Sequence, residues 1–256
     1  MPRYFLEVCY KGTVYSGYQV QENANSIQAE VEKALNTFFR QPVQLTGSSR
    51  TDAGVHAMQN YFHFDVPFNI HNKQLYNINA LLPADIAVNG IYPVKAGAHS
   101  RFDALSREYK YYIYQHKSPF LADRAYYYPY KPSLQKLNEV AALITGLHDF
   151  SAFSKRNTQV NTFNCAITKS IWVEEGENLV YNVTGNRFLR GMVRGLVGSM
   201  LKVTRKDDHI QAFANILASK NCSNADFSVP AHGLFLVKVY YPEGYFEDEE
   251  MTGSQP

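Results

Sequence analysis

The chain has 256 residues, 45% of them hydrophobic and 19% charged, with a formal net charge of +2 at pH 7. That is the composition of a soluble globular protein, long enough for one large domain or two small ones, and its charge alone announces no nucleic-acid partner. Three widely spaced cysteines, Cys9, Cys165 and Cys222, form no CxxC pair, which argues against a zinc site or disulfide framework and for a reducing compartment.

The opening segment, MPRYFLEVCYKG, has a short apolar run interrupted by Glu7, so neither a signal peptide nor a membrane span is expected. A cytoplasmic location with no membrane partner follows as the expectation. Alternation from Tyr4 to Tyr10 predicts a strand with Tyr4, Leu6, Val8 and Tyr10 on one side, turned by Lys11-Gly12-Thr13. Ser26 is placed to cap a helix whose apolar positions Ile27, Val31, Ala34, Leu35 and Phe38 recur at helical spacing, ended by Pro42. A strand is expected over 43–46. The stretch GSSRTDAGVHAMQN, residues 47–60, then puts Asp52 in a turn, with Gly54 supplying backbone freedom. A carboxylate on a loop held between strands is exposed but positioned, as a nucleophile or an acid/base group must be. Asp-x-Gly is equally the pattern of an ordinary turn.

Residues 59–65 read as an aromatic strand, 73–82 as a second helix stopped by Pro83, and 86–94 as another strand. His56 and His63 beside Asp52 fit no common ligand spacing, so no metal is expected. The order of elements is α+β, with helices packed on one face of a largely antiparallel sheet. A strand over 107–114 places Tyr109, Tyr111 and Ile113 on one face and Lys110, Tyr112 and Tyr114 on the other. Ser133 caps a helix with Leu134, Leu137, Val140, Ala141 and Ile144 inward, ended by Gly146. A polar loop over 155–166, strands near 167–174 and 179–184, a helix over 188–198, a shorter one over 208–218 and a last strand over 229–236 complete the chain.

On the helix over 188–198, Arg187, Arg190 and Arg194 fall near one face, and Gly191, Gly195 and Gly198 weaken it while permitting close approach to another backbone. From Arg187 to Lys206 there are six basic residues and no acidic one, whereas Glu243 to Glu250 holds five acidic residues and no basic one. Such segregation suits a polyanion bound to one face. It equally describes a solvated helix face followed by a disordered acidic tail.

RTDAGVHA resembles the signature of the TruA family of tRNA pseudouridine synthases. The resemblance implies that Asp52 is the catalytic residue; Ser49 replaces the family's glycine, a small-for-small change. Residues 15–19 are similar to the family's YxGWQ-type stretch, with Tyr18 in the tryptophan position. The segment at His99–Asp103 is similar to the HARF segment, residues 107–113 to RxYxYxI, and 149–153 to DFxxF. The match makes Tyr109 the active-site tyrosine, and its ring is suited to restack a flipped pyrimidine, worth about 1–3 kcal/mol. Residues 188–198 resemble FLxxMVRxxVG, whose arginine, Arg194 here, pairs with the catalytic aspartate. The ending through Pro242 resembles PAxGLxLxxVxYP, which implies that Leu234 or Leu236 lines the uracil pocket.

The resemblance runs from Tyr4 to Pro242. It implies two related subdomains, 1–104 carrying the Asp52 loop and 105–244 carrying Tyr109, Arg194 and the last strand. Their mainly antiparallel sheets join into one around an active-site cleft, and residues 245–256 form an unstructured acidic tail. It further implies isomerisation of uridine at positions 38, 39 and 40 of the tRNA anticodon stem-loop by a homodimer with no cofactor or metal. Arg50 is expected to fill the vacated stack and hold phosphate. By charge, Arg101, Arg187, Arg190 and Lys110 are backbone contacts, with Lys155 or Arg156 reaching RNA from the 155–166 loop. A catalytically silent RNA-binding protein of the same fold, or a hydrolase built on Asp52 and His56, are the other readings. Whether Asp52 attacks ribose C1′ or uracil C6, or acts as a base, stays open.

Overall fold

The computed structural model describes residues 1–155 and 160–246. Arg156 and the acidic stretch 247–256, each named above, lie outside the described residues. The elements are β1 (Arg3–Tyr10), α1 (Ile27–Phe39), β2 (Thr46–Gly47), β3 (His56–Asp65), α2 (Leu75–Asn79), β4 (Ile86–Val94), β5 (Ser106–Tyr114), β6 (Tyr126–Tyr127), α3 (Leu134–Ala142), β7 (Gly146–Asp149), β8 (Asn164–Glu175), β9 (Asn178–Gly185), α4 (Met192–Val203), α5 (His209–Ser219) and β10 (Leu234–Tyr240). The ten strands form one sheet in the order β4-β1-β3-β10-β5-β9-β8-β7, with β2 beside β3 and β6 beside β5. Among the described residues only the β10–β3 and β5–β6 pairings are parallel. The fold is therefore α+β with a mainly antiparallel sheet, as expected.

The position of β10 decides the architecture. The last strand crosses back to lie between β3 and β5, joining strands from both ends of the chain. Its register brings Leu236 opposite Tyr109 on one side and Ala57 on the other. In the row Tyr111, Tyr181 and Trp172, the Trp172 indole donates to Met200 Sδ on α4, and Asn138 on α3 bonds its backbone. In the other half Tyr18, just ahead of α1, stacks on Phe62 at 4.7 Å between centroids.

Several expected boundaries move, each for a local reason. Ser26 and Ser133 cap α1 and α3 as anticipated, by accepting from Ala29 N and Lys136 N. The strand expected over 43–46 shrinks to Thr46–Gly47, because Asn36 and Glu32 of α1 take the N–H groups of Val43 and Leu45. The helix expected over 73–82 is a short turn followed by Leu75–Asn79, whose last residue bonds the Val88 backbone with its side chain. Strand β7 was not anticipated. The helix expected from 188 starts only at Met192, since Gly191 is left-handed with φ 73°.

Phe5 is also buried, so β1 is covered on both faces rather than half-buried. Its second cover includes Tyr245 and Phe246, expected in an unstructured tail. Their rings pack on Phe5 at 5.6 and 5.9 Å, and Phe246 also stacks on Tyr61. Apolar burial holds these two residues in place where a reading by charge had assigned them to solvent. Among the described residues, no helix is long and apolar enough to cross a membrane.

Candidate active site

Asp52 lies in the tight turn between β2 and β3, closed by Val55 N donating to Asp52 O at 3.1 Å. Gly54 has φ 79°, a conformation that favours glycine, and a Cβ there would lie 3.2 Å from Ala231 Cβ. The turn of the first half therefore touches the segment leading into β10. Its base is held by a buried polar network: Thr51 Oγ1 and the Tyr10 hydroxyl are 2.9 Å apart, and Asn60 Nδ2 donates to Tyr10 and to Ser49 O. Behind the turn, Tyr18 N donates to Thr51 O, and Gly17, at φ 118°, leaves room that a side chain would take from Thr51 O. The carboxylate itself is 30% exposed, so it is placed by its backbone and open to a ligand.

Tyr109 comes from β5 with only 7% of its surface exposed, its ring edge-on to Phe188 at 5.0 Å. Burial pushes its hydroxyl up to about 12; the nearby Arg107 charge pulls the other way and Asp52 adds to the rise. Tyr109 and Asp52 thus sense one another across the join. Leu234 and Leu236 are both buried, and the register puts Leu236 beside Tyr109 and Leu234 beside Tyr111.

The expected ion pair is not the one formed. Arg194, in the first turn of α4, donates through Nε and Nη2 to Val229 O at 2.9 and 2.7 Å and to Phe227 O at 3.3 Å. Among the described residues the basic group within 4.0 Å of Asp52 is Arg190, whose Nε lies 3.9 Å from Oδ1. The late start of α4 explains the exchange. Arg190 precedes the left-handed Gly191 and is free to reach the turn, while Arg194 is committed to the 227–229 segment. For the same reason Arg187 and Arg190 do not share a helix face with Arg194.

Arg50 and Arg101 are exposed, and Arg101 lies over the Phe102 ring at 5.7 Å. Arg187 is half-buried near Cys165, whose thiol burial pushes up to about 11 and Arg187 pulls back. Lys110 is paired with Glu175 at 2.7 Å, so it is not a free cation. Lys155 packs along Gly191, and its N–H donates to Arg190 O.

Arg107 was quoted in a motif above and given no role. It is nine-tenths buried and donates to the carbonyls of Ala104, Asn186 and Arg101, with no carboxylate within 4.0 Å among the described residues. Its place in RxYxYxI, two residues before Tyr109, was the available signal. His56 stacks on Phe235 at 4.5 Å and His63 bonds Ser100. Among the described residues no group of three His, Cys, Asp or Glu side chains is arranged to hold a metal ion. The turn and its neighbours thus bring together a carboxylate, an adjacent guanidinium, a protonated phenol and two buried leucines.

A family model described as tRNA pseudouridine synthase matches residues 140–242. Curated relatives described as tRNA pseudouridine synthase A are similar over nearly the whole chain. Those of Porphyromonas gingivalis and Parabacteroides distasonis are each 42% identical, over 96% and 98% of this chain and 100% of the relative. That of Staphylococcus aureus strain N315 is 37% identical over 94% of this chain and 91% of its own length.

Proposed function

This chain belongs to the tRNA pseudouridine synthase A family, and from that membership we propose that Asp52 carries the isomerisation of tRNA uridine to pseudouridine, at positions 38 to 40 of the anticodon stem-loop. The observation that supports the reading best is that Arg190, from the second half of the chain, lies 3.9 Å from the carboxylate of Asp52 in the turn of the first half.

The reaction breaks the bond from ribose C1′ to uracil N1, leaves the electron pair on N1, rotates the base, joins C5 to C1′, releases the C5 proton and protonates N1. Product and substrate are isomers: nothing is oxidised or reduced, and the proton lost from C5 is matched by one gained at N1, so the chemistry itself calls for no cofactor or metal. Asp52 serves as nucleophile or base toward the flipped nucleotide. Tyr109, protonated at neutral pH like any tyrosine and kept so to higher pH by burial, faces the base as a stacking surface and hydrogen-bond donor rather than as a tyrosinate. Arg190 takes the place beside Asp52 that the sequence pattern assigned to Arg194. Arg194 instead anchors the segment that positions Leu234 and Leu236 against the base. Arg50, exposed two residues before Asp52, fills the stack that the uridine vacates, with Arg101 and Arg187 on the flanking phosphates.

The same reading divides the chain into 1–104 and 105–244 on either side of the cleft. It also carries a homodimer, checked by sedimentation, and a cytoplasmic location. Unmodified tRNA tritiated at uridine C5 tests the function directly. The protein alone should release tritium, and Asp52→Asn should release none above background. Full release by Asp52→Asn would remove the carboxylate from the mechanism, and binding without release by the wild type would favour a silent RNA-binding module.

A further inference from the structure

The run of basic residues from Arg187 to Lys206 is divided by the fold into two groups. Arg187 and Arg190 precede the start of α4 and Arg194 lies in its first turn, the end at which Arg190 reaches Asp52. Lys202, Arg205 and Lys206 stand at its other end, exposed, about 15 Å away along the helix at 1.5 Å per residue. At that distance they lie beyond the reach of a nucleotide seated against Asp52.

Arg205 is ordered without being neutralised. Its Nε and Nη2 donate to the Tyr128 hydroxyl at 3.2 and 2.6 Å, and its guanidinium lies 4.9 Å from the centre of the Tyr130 ring, which is 60% exposed. Among the described residues no carboxylate lies within 4.0 Å of Arg205, Lys202 or Lys206. The Asp226 carboxyl, pushed up by burial, is held below the usual range by bonds from Ser228 and, after them, by the Lys202 and Arg205 charges. Lys136 donates to Lys206 O at 3.1 Å and is paired with Asp207 at 3.7 Å, so it adds no free cation. Cations at a helix C-terminus complement its dipole, but that effect requires neither a guanidinium held by two tyrosines nor an exposed ring beside it. A fixed fork of N–H donors next to an exposed aromatic face matches a phosphodiester and its neighbouring base.

We propose that the far end of α4, with Lys202, Arg205, Lys206 and Tyr130, is a second RNA contact that grips the backbone of the substrate tRNA away from the flipped uridine. The inference rests on the tRNA reading of the cleft. Holding the RNA at two points separated along one helix fixes its direction across the site.

The test is binding of unmodified tRNA to the full chain across a salt series. The double variant Lys202→Ala/Lys206→Ala should bind about tenfold more weakly, and the slope of log affinity against log salt should fall by roughly 1 to 2, as lost phosphate contacts require. Both side chains are exposed, so its melting temperature should match the wild type. Arg205→Gln should also weaken binding, whereas Lys33→Ala, an exposed lysine on α1, should leave affinity and slope unchanged. Wild-type affinity and slope in both the double variant and Arg205→Gln overturn the surface while tritium release by the wild type still upholds the cleft. A wild type that neither binds tRNA nor releases tritium overturns both.

Discussion

Two arginines four residues apart are put to different uses, and they separate a chemical role from a structural one. Arg190 is more than half exposed and its only carboxylate neighbour within 4.0 Å among the described residues is Asp52, so Arg190→Ala should lower kcat at least tenfold while leaving the melting temperature near that of the wild type. Arg194→Ala should instead lower stability by about 2 kcal/mol, because Val229 O loses charge-assisted bonds in a part-buried setting. Thermal melts and single-turnover rates distinguish the two. An Arg194→Ala protein that melts normally yet fails at saturating tRNA would return the ion-pairing role to that residue. The turn that holds Asp52 and the strand that holds Tyr109 were legible in the sequence because each sits in a motif of several residues. Choosing between the arginines was not, since it depends on which side of a left-handed glycine the helix begins.

At the scale of elements, α4 shows how small residues convert a weak helix into a tightly packed one. A Cβ on Gly198 would lie 2.3 Å from Asp226 O, and one on Gly195 would lie 2.7 Å from the Phe227 ring. The 226–229 segment lies against the helix and hands its carbonyls to Arg194. Gly198→Ala should therefore destabilise by about 2 kcal/mol: overpacking against backbone outweighs the roughly 1 kcal/mol gained in helix propensity. Chemical denaturation measures the sum, and a more stable variant would refute the close approach. That close approach was readable from glycine content alone. The shortening of the strand at 43–46 was not, because its backbone donors are claimed by Asn36 and Glu32 from an earlier helix.

For the molecule as a whole, pH dependence follows from histidines taken out of water. Burial first, and the neighbouring His99 and Arg3 charges after it, lower the His63 ring to about 4. Between about 6.5 and about 4 the unfolded chain binds this proton and the folded chain does not, so stability falls as pH falls through that window, by at most about 3 kcal/mol from His63. His56, His99 and His232 are lowered by burial too and add to the slope. His63→Gln should show a shallower loss between pH 7 and pH 4.5 in urea titrations; an unchanged slope would assign the effect to the others.

The sequence by itself determined the periodicities, the helix caps at Ser26 and Ser133, the turn that exposes Asp52 and the family those motifs belong to. All of these are set by neighbours within a few residues. The tertiary structure alone decided that β10 closes the sheet between β3 and β5, that Leu236 stands opposite Tyr109, that Tyr245 and Phe246 cover Phe5, and that Arg190 rather than Arg194 lies within 4.0 Å of Asp52. Each of these joins residues far apart in the chain or turns on where a helix starts, and local spacing carries no information about either.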